Sequence, residues 1–214
     1  MRVGLICVFA SLAGLIVFAQ LGTTQKNLPA GALERLIYAH EARMISTPEA
    51  FRASILRARI PGGAAMTVGC QEDVKRQWNP QGEPLGQLLN ELTAVDKSYR
   101  WEVQDGAINL LPAAGEPLLL QTHVGELKID TTSSWEALKR LSTRPELQQA
   151  MLGLRLQEGL TIITYSPRAT QFSVRFEGGT LRQALNAIAF SNGTDVWDYA
   201  EVHCGDRNEV TIRF

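Results

Sequence analysis

The sequence predicts an α+β protein made of two tandem copies of one small module, each with helices packed on short mixed β-sheets. Three observations carry that expectation. The decapeptide LGQLLNELTA at 85–94 returns as LRQALNAIAF at 181–190, a shift of 96 residues. The same shift brings Trp101 onto Trp197, Gly82 onto Gly178, Gly63 onto Gly159, Arg59 onto Arg155, Leu56 onto Leu152, and Ser46-Thr47 onto Ser142-Thr143. Eleven identities fall in the 56 positions from 46 to 101, where typical residue frequencies give roughly three. The apolar pattern between the identities also matches, the mark of an internal repeat.

Residues 1–19 read as a signal peptide, 20–112 as the first unit, 113–117 as a linker and 118–214 as the second unit. Two prolines and a glycine in LLPAAGEPLLL mark the join. The first unit opens with ALERLIYAHEARM, which reads as a helix. Each copy then carries Ser-Thr followed by Pro-Glu. This is a helix start in which Thr47 or Thr143 accepts backbone N–H bonds and proline sits in the first turn. These helices are expected over 48–58 and 145–153. AAMTVG in the first copy and LTIITY in the second follow as strands, as their β-branched content favours. Val74, Arg76 and Trp78 alternate in one copy, and Phe172, Val174 and Phe176 in the other, the two-residue period of a strand.

Leu85, Leu88, Leu89 and Leu92 are spaced to make one buried helix face, and Leu181, Ala184, Leu185 and Ile188 repeat that face,. Gln87, Asn90, Gln183 and Asn186 lie off the stripe and read as solvated helix surface or as bonded to a neighbouring loop. A strand with Trp101 or Trp197 comes next. The last strand holds Ile108 and Leu110, or Val210, Ile212 and Phe214. Asp105-Gly106 predicts a tight turn in the first copy. The second copy is six residues longer there and holds Cys204. Upstream, 118–130 reads as two strands, and SSWEALKRLS as a helix with Trp135, Leu138 and Leu141 inward.

An apolar share of 45% and a charged share of 20% are those of a globular chain,. A net charge of −1 gives no field to draw nucleic acid or an acidic membrane surface, so nucleic acid is excluded as a partner,. MRVGLICVFASLAGLIVFAQ has one positive charge, an apolar run containing Cys7, and Val17-Phe18-Ala19 before Gln20. That is the pattern of a cleaved export signal, the alternative being a retained anchor. The expected location is periplasmic or secreted, with no stable membrane span after cleavage. Cys70 and Cys204 then remain, either bridged or as separate thiols.

FSVRFEGGTLRQALNAIAFSNGTDVW resembles the short N-terminal module of secretins and TonB-dependent transducers: an apolar strand, a short turn, a Leu-x-x-Ala-Leu helix and a strand pair. The resemblance spans 126–214 and recurs more faintly over 63–111, where Leu88 stands in the place of Ala184. It implies an α+β fold in the periplasm that works by contacting other envelope proteins and has no catalytic residues. Such proteins continue into a membrane β-barrel. The expectation here is a module without one, because a single terminal strand ending at Phe214 cannot close a barrel.

Candidate chemistry is sparse. The histidines are His40, His123 and His203. His203-Cys204-Gly205-Asp206, with Asp198, offers half of a metal site but no second ligand pair. Cys70 with His203 makes a thiol–base pair only if the thiol is free. No G-x-S-x-G elbow, phosphate loop or H-E-x-x-H is present. Glu72-Asp73 reads as a solvated turn. Asn192-Gly193-Thr194 is a glycan acceptor only in a eukaryotic secretory route. The expectation is a non-enzymatic envelope protein acting as an interaction or assembly module, with no catalytic residue, cofactor or metal. The alternative is an exported small-ligand binder or hydrolase with its site between the two units.

Overall fold

The computed structural model describes residues 27–70, 74–159, 171–193 and 195–214. The export signal, the LTIITY strand, Glu72-Asp73 and Thr194 lie outside the described residues. The first half runs β1 (Leu36–Tyr38), β2 (Arg43–Ile45), α1 (Thr47–Ala58), β3 (Gly62–Val68), β4 (Arg76–Trp78), β5 (Gln81–Pro84), α2 (Leu85–Val95), β6 (Tyr99–Gln104) and β7 (Ala107–Pro112). A 3-10 turn (Leu118–Gln121) leads to β8 (His123–Val124), β9 (Leu127–Thr131), α3 (Ser134–Ser142), α4 (Pro145–Leu154) and β10 (Gln157–Glu158). The second half closes with β11 (Phe172–Phe176), β12 (Gly179–Thr180), α5 (Leu181–Asn192), β13 (Val196–Cys204) and β14 (Arg207–Arg213). The class is α+β, as the periodicities require.

Three local expectations change. ALERLIYAHEARM is not a helix but turns and the short strands β1 and β2. Its apolar residues fit a helical spacing, yet Ile37 is buried between exposed Leu36 and Tyr38, a two-residue period set by pairing with β5. Of residues 118–130, the leucine run forms the 3-10 turn, with Leu119 and Leu120 buried, and only β8 and β9 are strands. At the helix starts, Ser46 rather than Thr47 caps α1, in a capping box with Glu49, while the Thr47 hydroxyl donates to Asp96 (2.7 Å). Thr143 ends α3 and caps nothing in α4, because α3 runs on to Ser142 and turns that hydroxyl back to Arg140. Trp135 is half-buried, and Leu138 and Leu141 are fully inward.

Strands of both halves share one six-stranded sheet, in the order β10-β14-β13-β3-β7-β6. Neighbours are parallel at β10/β14, β13/β3 and β3/β7, and antiparallel at β14/β13 and β7/β6. Alternation along the strands sends side chains to two faces. Ala64, Ile108, Leu110 and Val196 pack with Phe51 and Ile55 of α1 and Leu85 and Leu89 of α2. Ala65, Leu111, Trp197 and Tyr199 pack with residues of α3, α4 and α5 on the opposite side. Each helical layer therefore comes from one half, and the sheet between them belongs to both.

The halves meet where β3 lies parallel to β13, in register from Val196↔Gly62 to Val202↔Val68. A Cβ at Gly63 would fall inside the Trp197 indole, and one at Gly62 would strike the Ile108 carbonyl. The glycine pair thus lets the backbone pass under a fully buried tryptophan. Just beyond the paired run, Cys70 and Cys204 form a disulfide with a Cα–Cα distance of 4.8 Å. A bridge of this kind fits an exported protein. Among the described residues, no helix is long and apolar enough to cross a membrane.

Two predictions follow the seam. Replacing both cysteines by serine should lower unfolding stability by about 2–5 kcal/mol, measured by urea denaturation, because the closed loop is long. Gly63→Ala should cost about 3 kcal/mol or more on the same measurement, since the new methyl group displaces a packed indole; an unchanged midpoint would refute the packing.

Candidate functional site

The repeated asparagines of α2 and α5 turn out to serve the repeated tryptophans. Trp101 Nε1 donates to Asn90 Oδ1 (3.0 Å), and Trp197 Nε1 donates to Asn186 Oδ1 (2.9 Å). Asn186 is fully buried, not solvated, and its amide also reaches the Gln104 carbonyl. Gln183 closes a capping box with Thr180, whereas Gln87 bonds Glu91 on the helix surface. The signal for the asparagines was present in the sequence. Each stands 11 residues before its tryptophan, and a buried indole N–H needs an acceptor.

The two tryptophans differ in what covers them. Trp197 is wholly buried beneath β3. Trp101 is half-buried on β6, the last strand of the sheet. Among the described residues no strand pairs with the outer side of β6. Asp105 and Gly106 both have positive φ (52° and 76°) and make the predicted tight turn. Gln104 and Ala107 then flank a two-residue hairpin, so Gln104, Glu102 and Arg100 bond inward to β7. Trp101 and Val103 aim their backbone N–H and C=O outward,. Val103 is also an exposed apolar side chain. This edge has the chemistry to accept another strand.

Charged side chains tie each half to the other. Arg182 of α5 is buried, and it pairs with Glu102 on β6 and, at 2.8 Å, with Glu116 in the 113–117 stretch. Burial opposes ionisation of Glu102, but Arg182 and Arg100 outweigh it and hold the carboxyl below its ordinary range. At Glu116 burial prevails over Arg182 and raises the carboxyl. On the other face Asp198 of β13 lies between Arg52 of α1 and Arg213 of β14, each at 3.1 Å. Burial pushes Asp198 upward against the pull of both arginines. A cleft of about 490 Å³ opens beside it, lined by Arg43, Arg52, Arg57, Trp78, Arg213 and Phe214. The Arg57 guanidinium stacks 4.8 Å from the Trp78 ring centre.

The residues considered for chemistry from the sequence do not gather. Cys70 and Cys204 are bonded to each other, which leaves no thiolate for His203 to activate,. His203 rests against Glu201 (3.2 Å), whose carboxylate also accepts from Tyr199. Asp198 is held by its two arginines, away from a histidine–cysteine–aspartate site. Among the described residues no three His, Cys, Asp or Glu side chains group as metal ligands. Asn192 donates to Ser134 and Asp195. Neither Arg182 nor Arg52 was singled out from the sequence, because nothing local marks a basic residue whose partner lies in the other half.

Comparison with known protein families, with curated proteins and with solved structures gave no match.

Arg182→Ala should destabilise the fold by about 2–3 kcal/mol near neutral pH, discounted because Glu102 is one-third exposed,. A depressed carboxyl contributes stability above its ordinary value, 4.5 for Glu102, and loses that contribution as pH falls,. The gap between variant and wild type should therefore narrow in acid, as followed by urea unfolding across pH. A constant gap would refute the assignment.

Proposed function

We infer that the chain is an exported, non-enzymatic interaction module of the cell envelope, and that it docks a protein partner by taking up a strand along β6. The observation that carries this reading is the outer edge of β6, which no described strand pairs and where Trp101 and Val103 turn their backbone groups outward beside an exposed apolar side chain. Backbone pairing supplies affinity at such an edge, and alternate side chains supply selectivity. The disulfide, the export pattern at the N-terminus and the resemblance of 126–214 to the secretin and TonB-transducer module support the same reading. A module of that kind works by contact and needs no cofactor.

A second reading, a small-ligand binder or hydrolase with its site between the halves, is favoured by one feature. The cleft beside Asp198 gathers four guanidinium groups, from Arg43, Arg52, Arg57 and Arg213, around an aromatic ring. Asp198 and Glu49 offset part of that charge. An anionic ligand suits such a lining.

The docking reading is tested by photo-cross-linking from Val103 in the native envelope, with mass spectrometry of the adducts. A protein adduct should form at Val103, and Val103→Pro should abolish docking without unfolding the chain. That change removes an outward N–H and leaves the hairpin bonds of Gln104 and Glu102 intact. Recovery of the same partner by the Val103→Pro chain, in a pull-down from that envelope, would reject β6 as the docking edge.

A further inference from the structure

We propose that copies of this chain assemble head to tail, β6 of one copy taking β10 of the next in parallel, with Trp101 opposite Gly159 and Arg100 opposite Glu158. The proposal rests on β6 being a docking edge and names its occupant as a second copy.

The template is the seam already inside the molecule. Each half contributes three strands in the same sense across the sheet: β3-β7-β6 in one and β10-β14-β13 in the other. In both, the first strand is parallel to the second, and the second is antiparallel to the third. The registers correspond as well: Gly62 faces Ile108, and Glu158, which stands 96 residues later, faces Val210. A half-turn about the axis that crosses the strands carries one half onto the other. It reverses strand direction and moves the helices to the opposite face, as observed. Within the chain, the outer edge of β13 is met by β3. By the same relation the outer edge of β6 is met by a strand in the position of β10. The one chain that carries β10 is another copy.

The side chains fit this register. At the seam Trp197 faces Gly63, and the missing Cβ makes room for the indole. The equivalent pair is Trp101, half-buried on one edge, and Gly159, at the other edge of the sheet. Trp101 packs on the face of α1 and α2. Glu158 borders Trp135, Leu138 and Val210 on the opposite face, so Gly159 points to the face that Trp101 occupies,. The Gly159 N–H donates inward to Val210 O (2.7 Å), so Glu158 turns its own backbone groups to the side where no described strand pairs. Trp101, like Trp197, aims its backbone outward to meet them. Arg100 and Glu158 are exposed, lie on one face and carry opposite charge, a favourable cross-strand pair. Two copies related in this way keep the same orientation. The contact is therefore heterologous and extends beyond a dimer, into an open series or a ring.

The test is sedimentation of the oxidised chain, as recovered from its exporting host, over a range of concentrations. The weight-average mass should rise beyond two copies. Arg100→Glu and Glu158→Arg should each weaken association about tenfold. The chain carrying both reversals should recover to within about threefold of wild type, because the contact between copies then regains opposite charges. Circular dichroism checks that the variants, both at exposed positions, remain folded. A monomer at every concentration, a mass that stops at two, or indifference to Glu158→Arg overturns the proposal. If the chain is monomeric while the cross-link from Val103 to another envelope protein persists, the second copy falls and the docking edge stands. Loss of both overturns both.

Discussion

The parallel contact between β3 and β13 is the constraint on which the rest of the structure depends. A three-stranded sheet with helices on one face leaves its other face exposed, and neither half has helices enough for two faces. Joining the halves edge to edge with a half-turn lets each helical layer serve the neighbour's strands. Ala65 and Leu111 of the first half sit in the core of α3, α4 and α5. Val196 of the second sits in the core of α1 and α2. The join is possible because Gly62 and Gly63 carry no Cβ where Ile108 and Trp197 approach, and it is clamped covalently where the paired strands end.

The ion pairs lie where that shared covering thins. Helices α1 and α2 lie over β3, β7 and β6 and reach only the near side of β13. Asp198 occupies the rim of that cover, and Arg52 reaches out from α1 to meet it. Helix α5 lies over β3 and β7 on the other face, and Arg182 extends from it to Glu102 on β6. Each half thus sends one arginine to a carboxylate of the other. Removing either partner strands a desolvated charge, which is why such pairs fix the relative placement of the halves more than they add net stability. The cleft of arginines beside Asp198 is the outer margin of the same arrangement.

Much of this was legible in the sequence because the dominant signals are local. The stripes of α2 and α5, the Asp105-Gly106 turn, the alternation of β11 and the proline at the starts of α1 and α4 all act within a few residues, and all appear in place. What failed was non-local. Residues 32–44 have an apolar spacing compatible with a helix, and pairing with residues 76–84 overrode it. Asn186 is polar and off the apolar stripe, which reads as surface until Trp197 supplies a donor from the next strand. Most of all, the repeat implied two small sheets. Whether two such sheets stand apart or fuse is decided by which edges accept one another. The glycines of β3 are the determinant, and they gain that meaning only when Trp197 is seen above them.

The order of synthesis gives this edge pairing a further consequence. β3 and β13 are separated by more than half the chain, and the cysteines beside them by 134 residues. Contacts so distant in sequence form late, because a long loop must close before any of them contributes. Until Val196–Cys204 has emerged, the edge of β3 that β13 will pair lacks its partner strand, as the outer edge of β6 does among the described residues. The glycine-lined edge of β3 must be reserved for β13, since any other strand entering there would exclude the second half from the sheet. Trp197 provides that selectivity: its indole fills the space above Gly63, which a strand without a large aromatic residue in that register leaves empty.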